Sequence, residues 1–161
     1  MTEQGLTRVV VFAAGNDARG DDALGPLLLA RIEGLAMATV RCVFDFQLQV
    51  EHALDLDGAD MALFVDAHVA QAAPARLSRL RPAARPAACS HALAPDEVLA
   101  VYARVCGAAP PPAFLLSLGG VAFELGAGLS AEARESLEAG WQIARALLAR
   151  PAVAHWQACT T

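Results

Sequence analysis

Two carboxylates stand side by side at Asp21 and Asp22, near the end of a polar loop that opens on Gly15-Asn16. A third, Asp66, follows the apolar run Met61-Ala62-Leu63-Phe64-Val65. An imidazole, His91, stands shortly before Pro95. Two carboxylates and an imidazole suit a borderline divalent metal such as nickel, zinc or iron. A carboxylate also serves general acid–base chemistry. Each residue has a plainer reading. Asp21 is a natural helix N-cap, and Asp22 favours a helix dipole. His91 fits a histidine at a helix start, bonded to backbone, as well as it fits a ligand, and its residue type leaves both open. Asp66 is harder to dismiss, because a carboxylate after a fully apolar run is costly unless exposed or paired. His68 is a rival ligand. Cys89 with His91 reads as a thiol and its base, but residues so close rarely meet productively and no oxyanion loop accompanies them.

Strands and helices must carry these groups together. Residues 6–14 read as a first, buried strand, since Val9 to Phe12 form a β-branched, apolar run. Gly15-Asn16 breaks it. Leu24, Leu27, Leu28 and Ile32 then share one helical face, so a helix is expected over 22–35. This places Asp21 and Asp22 where a strand's C-terminal end meets a helix N-terminus, the usual ligand position in an open α/β sheet. Further strands are expected at 38–46, at 60–66 ending on Asp66, at 75–81 as an exposed edge, and at 113–118 closed by Gly119-Gly120. A short helix is expected over 51–57 and another from Pro95 to 105. Ser130 caps a long helix over 131–150, with Leu137, Trp141, Ala144 and Leu148 on one stripe. The alternation predicts a three-layer α/β/α domain over 1–150 with a mostly parallel five-stranded sheet. Residues 151–161 are expected to form a mobile tail.

Composition narrows the functions. The chain has 161 residues, 56 % hydrophobic and 18 % charged, which describes a globular domain with a real core. The net charge of -5 speaks against nucleic acid as a partner. All twelve basic residues are Arg, so Schiff-base and lysine-nucleophile chemistry is excluded. Four of them cluster at Arg76, Arg79, Arg81 and Arg85, which reads as a solvated edge or as a docking patch for an acidic segment. Cys42, Cys89, Cys106 and Cys159 form no C-x-x-C pair, so they are expected as reduced, mostly buried small hydrophobes. Gly15, Gly20 and Gly25 do not form a dinucleotide fingerprint, and no P-loop occurs. No apolar stretch approaches a bilayer span, and residues 1–5 lack signal-peptide features, so a cytoplasmic protein with no membrane partner is expected.

The motifs in order resemble those of the hydrogenase maturation endopeptidases, which trim the large subunit of nickel-iron hydrogenases. Gly15-Asn16 followed by Asp21-Asp22 and Gly25 is similar to the family's opening motif. Phe64-Val65-Asp66-Ala67 is similar to its second, and Ser90-His91-Ala92-Leu93 with Pro95 to its third. Gly126-Ala127-Gly128-Leu129-Ser130 resembles its C-terminal pattern. The likeness runs from Val9 to about Leu148. The family commonly has Glu-Gly where this chain has Asp22-Ala23. Gln47-Leu48 with Glu51 resembles an element of the subgroup serving soluble, nicotinamide-linked hydrogenases.

The resemblance implies a three-layer fold and a metal site made by Asp22, Asp66 and His91. It implies hydrolysis of one peptide bond near the C-terminus of a large-subunit precursor, after nickel has entered that precursor. The nickel is then carried by the substrate, and zinc or cadmium can stand in for it in a crystal. Two other functions fit the same residues: a non-enzymatic nickel-dependent checkpoint or chaperone, and a small-molecule metallohydrolase. Asp21 is expected to cap a helix, so Asp21→Asn should keep most activity, whereas Asp22→Asn should lose processing.

Overall fold

The computed structural model describes residues 5–69, 71–84 and 92–161. The sheet has five strands, β1 (Val9–Ala14), β2 (Val40–Asp45), β3 (Met61–Val69), β4 (Ala75–Leu80) and β5 (Ala113–Gly120). Their order is β2-β1-β3-β5-β4, with only β4 antiparallel. The helices are α1 (Leu24–Glu33), α2 (Pro95–Cys106), α3 (Ala131–Ala149) and α4 (Val153–Ala158). The expected three-layer α/β/α architecture with an edge strand at β4 is what the chain forms.

Strand alternation sorts the core into two halves. Val9, Val11 and Ala13 of β1 face α1, α3 and Trp156, together with Leu63, Val65, Leu116 and Leu118. Val10 and Phe12 face the other way, with Phe64, Ala53, Leu56, Val98, Leu99 and Tyr102. Phe12 and Phe64 stack there at 4.6 Å between ring centroids. The sheet is therefore apolar on both faces through β1 and β3, which explains their unbroken apolar runs.

Five expectations change. The first helix does not start at Asp22. A 3-10 turn spans Gly20–Ala23 and α1 begins at Leu24. The strand carrying Asp66 does not end there, because pairing with β5 continues through His68–Gly119 and Val69–Gly120. The two glycines extend β5 rather than closing it. The cysteines are free, but among the described residues Cys106 is exposed and Cys42 and Cys159 are half-buried, so none is a core hydrophobe; Cys89 lies outside the described residues.

The fifth change concerns residues 151–161. Instead of a mobile tail, they include α4, whose Trp156 is 0 % exposed. Its ring meets Phe114 edge-on at 5.4 Å, and its indole N–H donates to the Leu147 carbonyl at 2.8 Å. The Thr161 N–H donates to Leu77 of the edge strand at 3.0 Å. Burial of the indole, together with the hydrogen bonds of α4 and the Thr161–Leu77 bond, offsets the ordering of the segment. In a Trp141→Phe background, the remaining Trp156 emission should be blue-shifted and resist acrylamide quenching in the native state. Ready quenching before unfolding would show that α4 is not packed. Among the described residues no helix is long and apolar enough to cross a membrane.

Candidate functional site

The loop after β1 is folded by Asp22. Its Oδ2 accepts the Asn16 N–H at 2.8 Å, while Oδ1 takes no hydrogen bond among the described residues. Gly15 makes this closure possible. Its φ is 150°, and a Cβ there would overlap the Asp22 carbonyl oxygen. Ala23 has φ -72°, an ordinary helical value, so the absence of glycine after the acidic residue costs no strain. Asp22 is thus aimed by its own loop, with one carboxylate oxygen left for a ligand.

Asp66 sits on β3, half-buried, on the face that carries Phe64. Burial pushes its carboxyl up to about 6, and the nearby Asp22 charge adds to the rise. The Ala67 N–H and His68 act the other way. Two carboxylates from separate elements therefore feel each other in a poorly solvated place. Such a pair favours either a shared proton or an arriving cation.

His91 lies outside the described residues. Leu93, just beyond it, donates its N–H to the Leu48 carbonyl at 2.8 Å, and Leu48 lies in the segment following β2. His68 is exposed, with Nδ1 2.9 Å from the Val69 carbonyl. His52 is buried and structural. Its Nδ1 accepts the Gln49 N–H at 2.7 Å, so Nε2 carries the proton and faces Asp45 at 3.4 Å. Among the described residues no group of three His, Cys, Asp or Glu side chains is placed to hold a metal. Asp22 and Asp66 alone supply two oxygen donors, short of a full shell for a borderline metal.

Asp21 departs most from its expected role. It makes no helix cap. Its side chain is 0 % exposed and accepts four hydrogen bonds from the segment after β5. Val121 N and Ala122 N donate to Oδ2 at 2.8 and 2.9 Å, Ser130 N donates to Oδ1 at 2.8 Å, and the Ser130 hydroxyl donates to Oδ2 at 2.7 Å. The same hydroxyl accepts from Ala133 N at 3.0 Å, which makes it the N-cap of α3. Burial alone would raise the Asp21 carboxyl, but the donors from Ser130, Val121 and Ala122 together hold it below the usual range. Gly120 allows the approach, since a Cβ there would lie 2.9 Å from Asp21 Cβ. Asp21 therefore locks the loop bearing Asp22 to the start of α3. Sequence reasoning missed these partners, because the signal is split between Asp21 and a Ser130 already explained as a cap.

No protein-family model matches this sequence, and no curated protein does. Solved structures do. The hydrogenase-maturating endopeptidase HybD from E. coli has a TM-score of 0.66 at 22 % identity, over 89 % of this chain and 93 % of that one. The [NiFe] hydrogenase maturation protease HycI from Thermococcus kodakarensis KOD1 has a TM-score of 0.65 at 22 % identity, over 88 % and 93 %. The hydrogenase 2 maturation peptidase from Thaumarchaeota archaeon SCGC_AB-539-E09 has a TM-score of 0.59 at 21 % identity, over 89 % and 97 %. The chain shares the fold of these maturation proteases nearly end to end.

Proposed function

We propose that this chain is a hydrogenase maturation endopeptidase, which removes the C-terminal extension from a nickel-loaded nickel-iron hydrogenase large-subunit precursor. The observation that carries the reading is the electrostatic meeting of Asp22 and Asp66 on a fold shared with such proteases. A carboxylate whose proton affinity is raised by burial and by the Asp22 charge beside it lacks a cation, and a substrate carrying nickel brings one. Asp22 offers its unbonded oxygen, Asp66 its half-buried carboxylate, and His91 is assigned the third position. The bound nickel would supply Lewis-acid polarisation of the scissile carbonyl or activation of a water.

The protein's own part is positioning. The Asn16 N–H holds Asp22 in one orientation, and β3 fixes the backbone of Asp66. A site two or three ligands short of a full shell has little hold on free metal and no means of cutting chains that bring none. Selectivity for the loaded precursor follows from that incompleteness.

The test uses the cognate precursor prepared with and without nickel. Shortening of the loaded form alone is expected, with loss in His91→Ala and Asp22→Asn, and no block by serine- or cysteine-modifying reagents. Binding without cleavage would favour a checkpoint, and neither binding nor cleavage would favour a small-molecule hydrolase. Equal cleavage of the nickel-free form would overturn the metal-gated mechanism.

A further inference from the structure

Asp66 lies in register with Ser117 of β5, and Ser117 with Arg76 of β4. Partners in register project to the same face, so an acid, a hydroxyl and a guanidinium form one row across three strands. Among the described residues, helix α2 packs on the part of that face that carries Ala62, Phe64 and Ala113. Beyond it lies an open trough of about 770 Å³, lined by His68, Gln71, Arg76, Ser78, Ser117 and Thr161. Its volume falls in the range of ligand sites.

The floor of the trough is fixed. Ser117 Oγ donates to Gln71 Oε1 at 2.6 Å, and Gln71 Nε2 donates to the Ala73 and Ser117 carbonyls at 2.8 and 3.1 Å. These groups are satisfied by one another. Arg76 is not: no carboxylate pairs with it among the described residues. Its neighbour Arg79 differs, lying on the opposite face 4.9 Å from the Phe114 ring centroid.

We infer that this trough binds an extended segment of the substrate chain, with Arg76 taking a carboxylate from it, and the inference rests on the protease reading above. Strands lie about 4.8 Å apart, so Arg76 stands roughly 10 Å from Asp66. An extended peptide covers that span in about three residues. The polarity matches one kind of segment. It carries a cation at the Asp22–Asp66 end and a negative group about three residues away. That carboxylate is either an acidic side chain or the free C-terminus of the excised extension. Arg76 is too far from the cut to take part in bond breaking, so it is a specificity residue.

The test measures binding directly, by fluorescence anisotropy, without requiring cleavage. The probe is a labelled nonapeptide spanning the cut of the cognate precursor, ending at the native C-terminus where that lies within reach. One variant peptide has its acidic side chains converted to amides, and a second has only its C-terminus amidated. Arg76→Gln should weaken the native peptide about tenfold, as expected for a charge-assisted hydrogen bond. Arg76→Lys should stay within about twofold, and Arg79→Gln should match wild type. Whichever amidated peptide already binds tenfold worse to wild type, and no worse to Arg76→Gln, identifies the carboxylate. Unchanged binding in Arg76→Gln, equal weakening in Arg79→Gln, or no binding by wild type overturns the inference. Processing of the loaded precursor by wild type is scored separately. Its absence beside Arg76-dependent binding would remove the protease reading and leave the trough.

Discussion

Asp21→Ala should unfold at markedly lower denaturant than wild type, although the side chain faces no solvent and is assigned no ligand. The change takes their acceptor from three part-buried backbone N–H groups and the Ser130 hydroxyl. Each buried unpaired donor costs about 1–3 kcal/mol, and coupled losses do not add fully, so about 4 kcal/mol is expected. That corresponds to a fall in Tm of roughly 8–16 °C for a domain of this size. Asp21→Asn should recover only part of it, since its amide NH2 turns donors toward donors. This reverses the outcome expected of a cap, where Asn serves as well as Asp. The pH dependence follows from the sign of the shift. Asp21's folded pKa is lowered, so its contribution is complete above the unfolded value near 4 and fades as pH falls through the folded one. The gap between wild type and Asp21→Ala in urea titrations should therefore be wide at pH 7 and narrow toward the acid limit of folding. A constant gap would mean that the carboxylate charge is not what holds the loop.

Asp66→Asn should do the opposite to stability while abolishing processing. The folded carboxyl is raised to about 6, so ionising it at neutral pH works against the fold. Between the unfolded pKa near 4 and about 6, the folded state holds the proton more tightly, and stability declines as pH rises. The amide removes that penalty, worth roughly 2–3 kcal/mol at pH 7. The variant should be more stable than wild type at neutral pH, equal to it near pH 4, and without the intervening slope. Processing of the loaded precursor should fall below detection. A variant both inactive and less stable would mean Asp66 supports the fold rather than the site.

The contrast between these neighbours in function shows what the sequence carries and what it hides. Val9–Phe12 and Met61–Val65 announce buried strands because their apolar runs need two covered faces. Ser130 announces the start of α3, since a cap acts within one turn. Asp21 hides its partners because they come from 100 to 109 residues away. The end of β3 hides too, because it is set by Gly119 and Gly120 on β5 and not by Asp66 itself. Trp156 escapes notice because its stability comes from Phe114 and Leu147, outside its own short segment. Asp22 and Asp66 are legible as residues at a sheet edge, while their mutual repulsion is legible only once the strands are placed.

The Asp21–Ser130 bonds also carry a consequence for the order of synthesis. The chain emerges from the ribosome N-terminal end first, so the loop bearing Asp22 exists long before Ser130 does. Closing a segment of 109 residues is among the last entropic steps available to this fold. Until it happens, the loop lacks its anchor and the Asp22 carboxylate has no fixed aim. Under the function proposed above, a nascent or truncated chain ending before α3 is therefore expected to be inert toward its precursor. Competence at the Asp22 loop therefore waits until Ser130 and the start of α3 have been made.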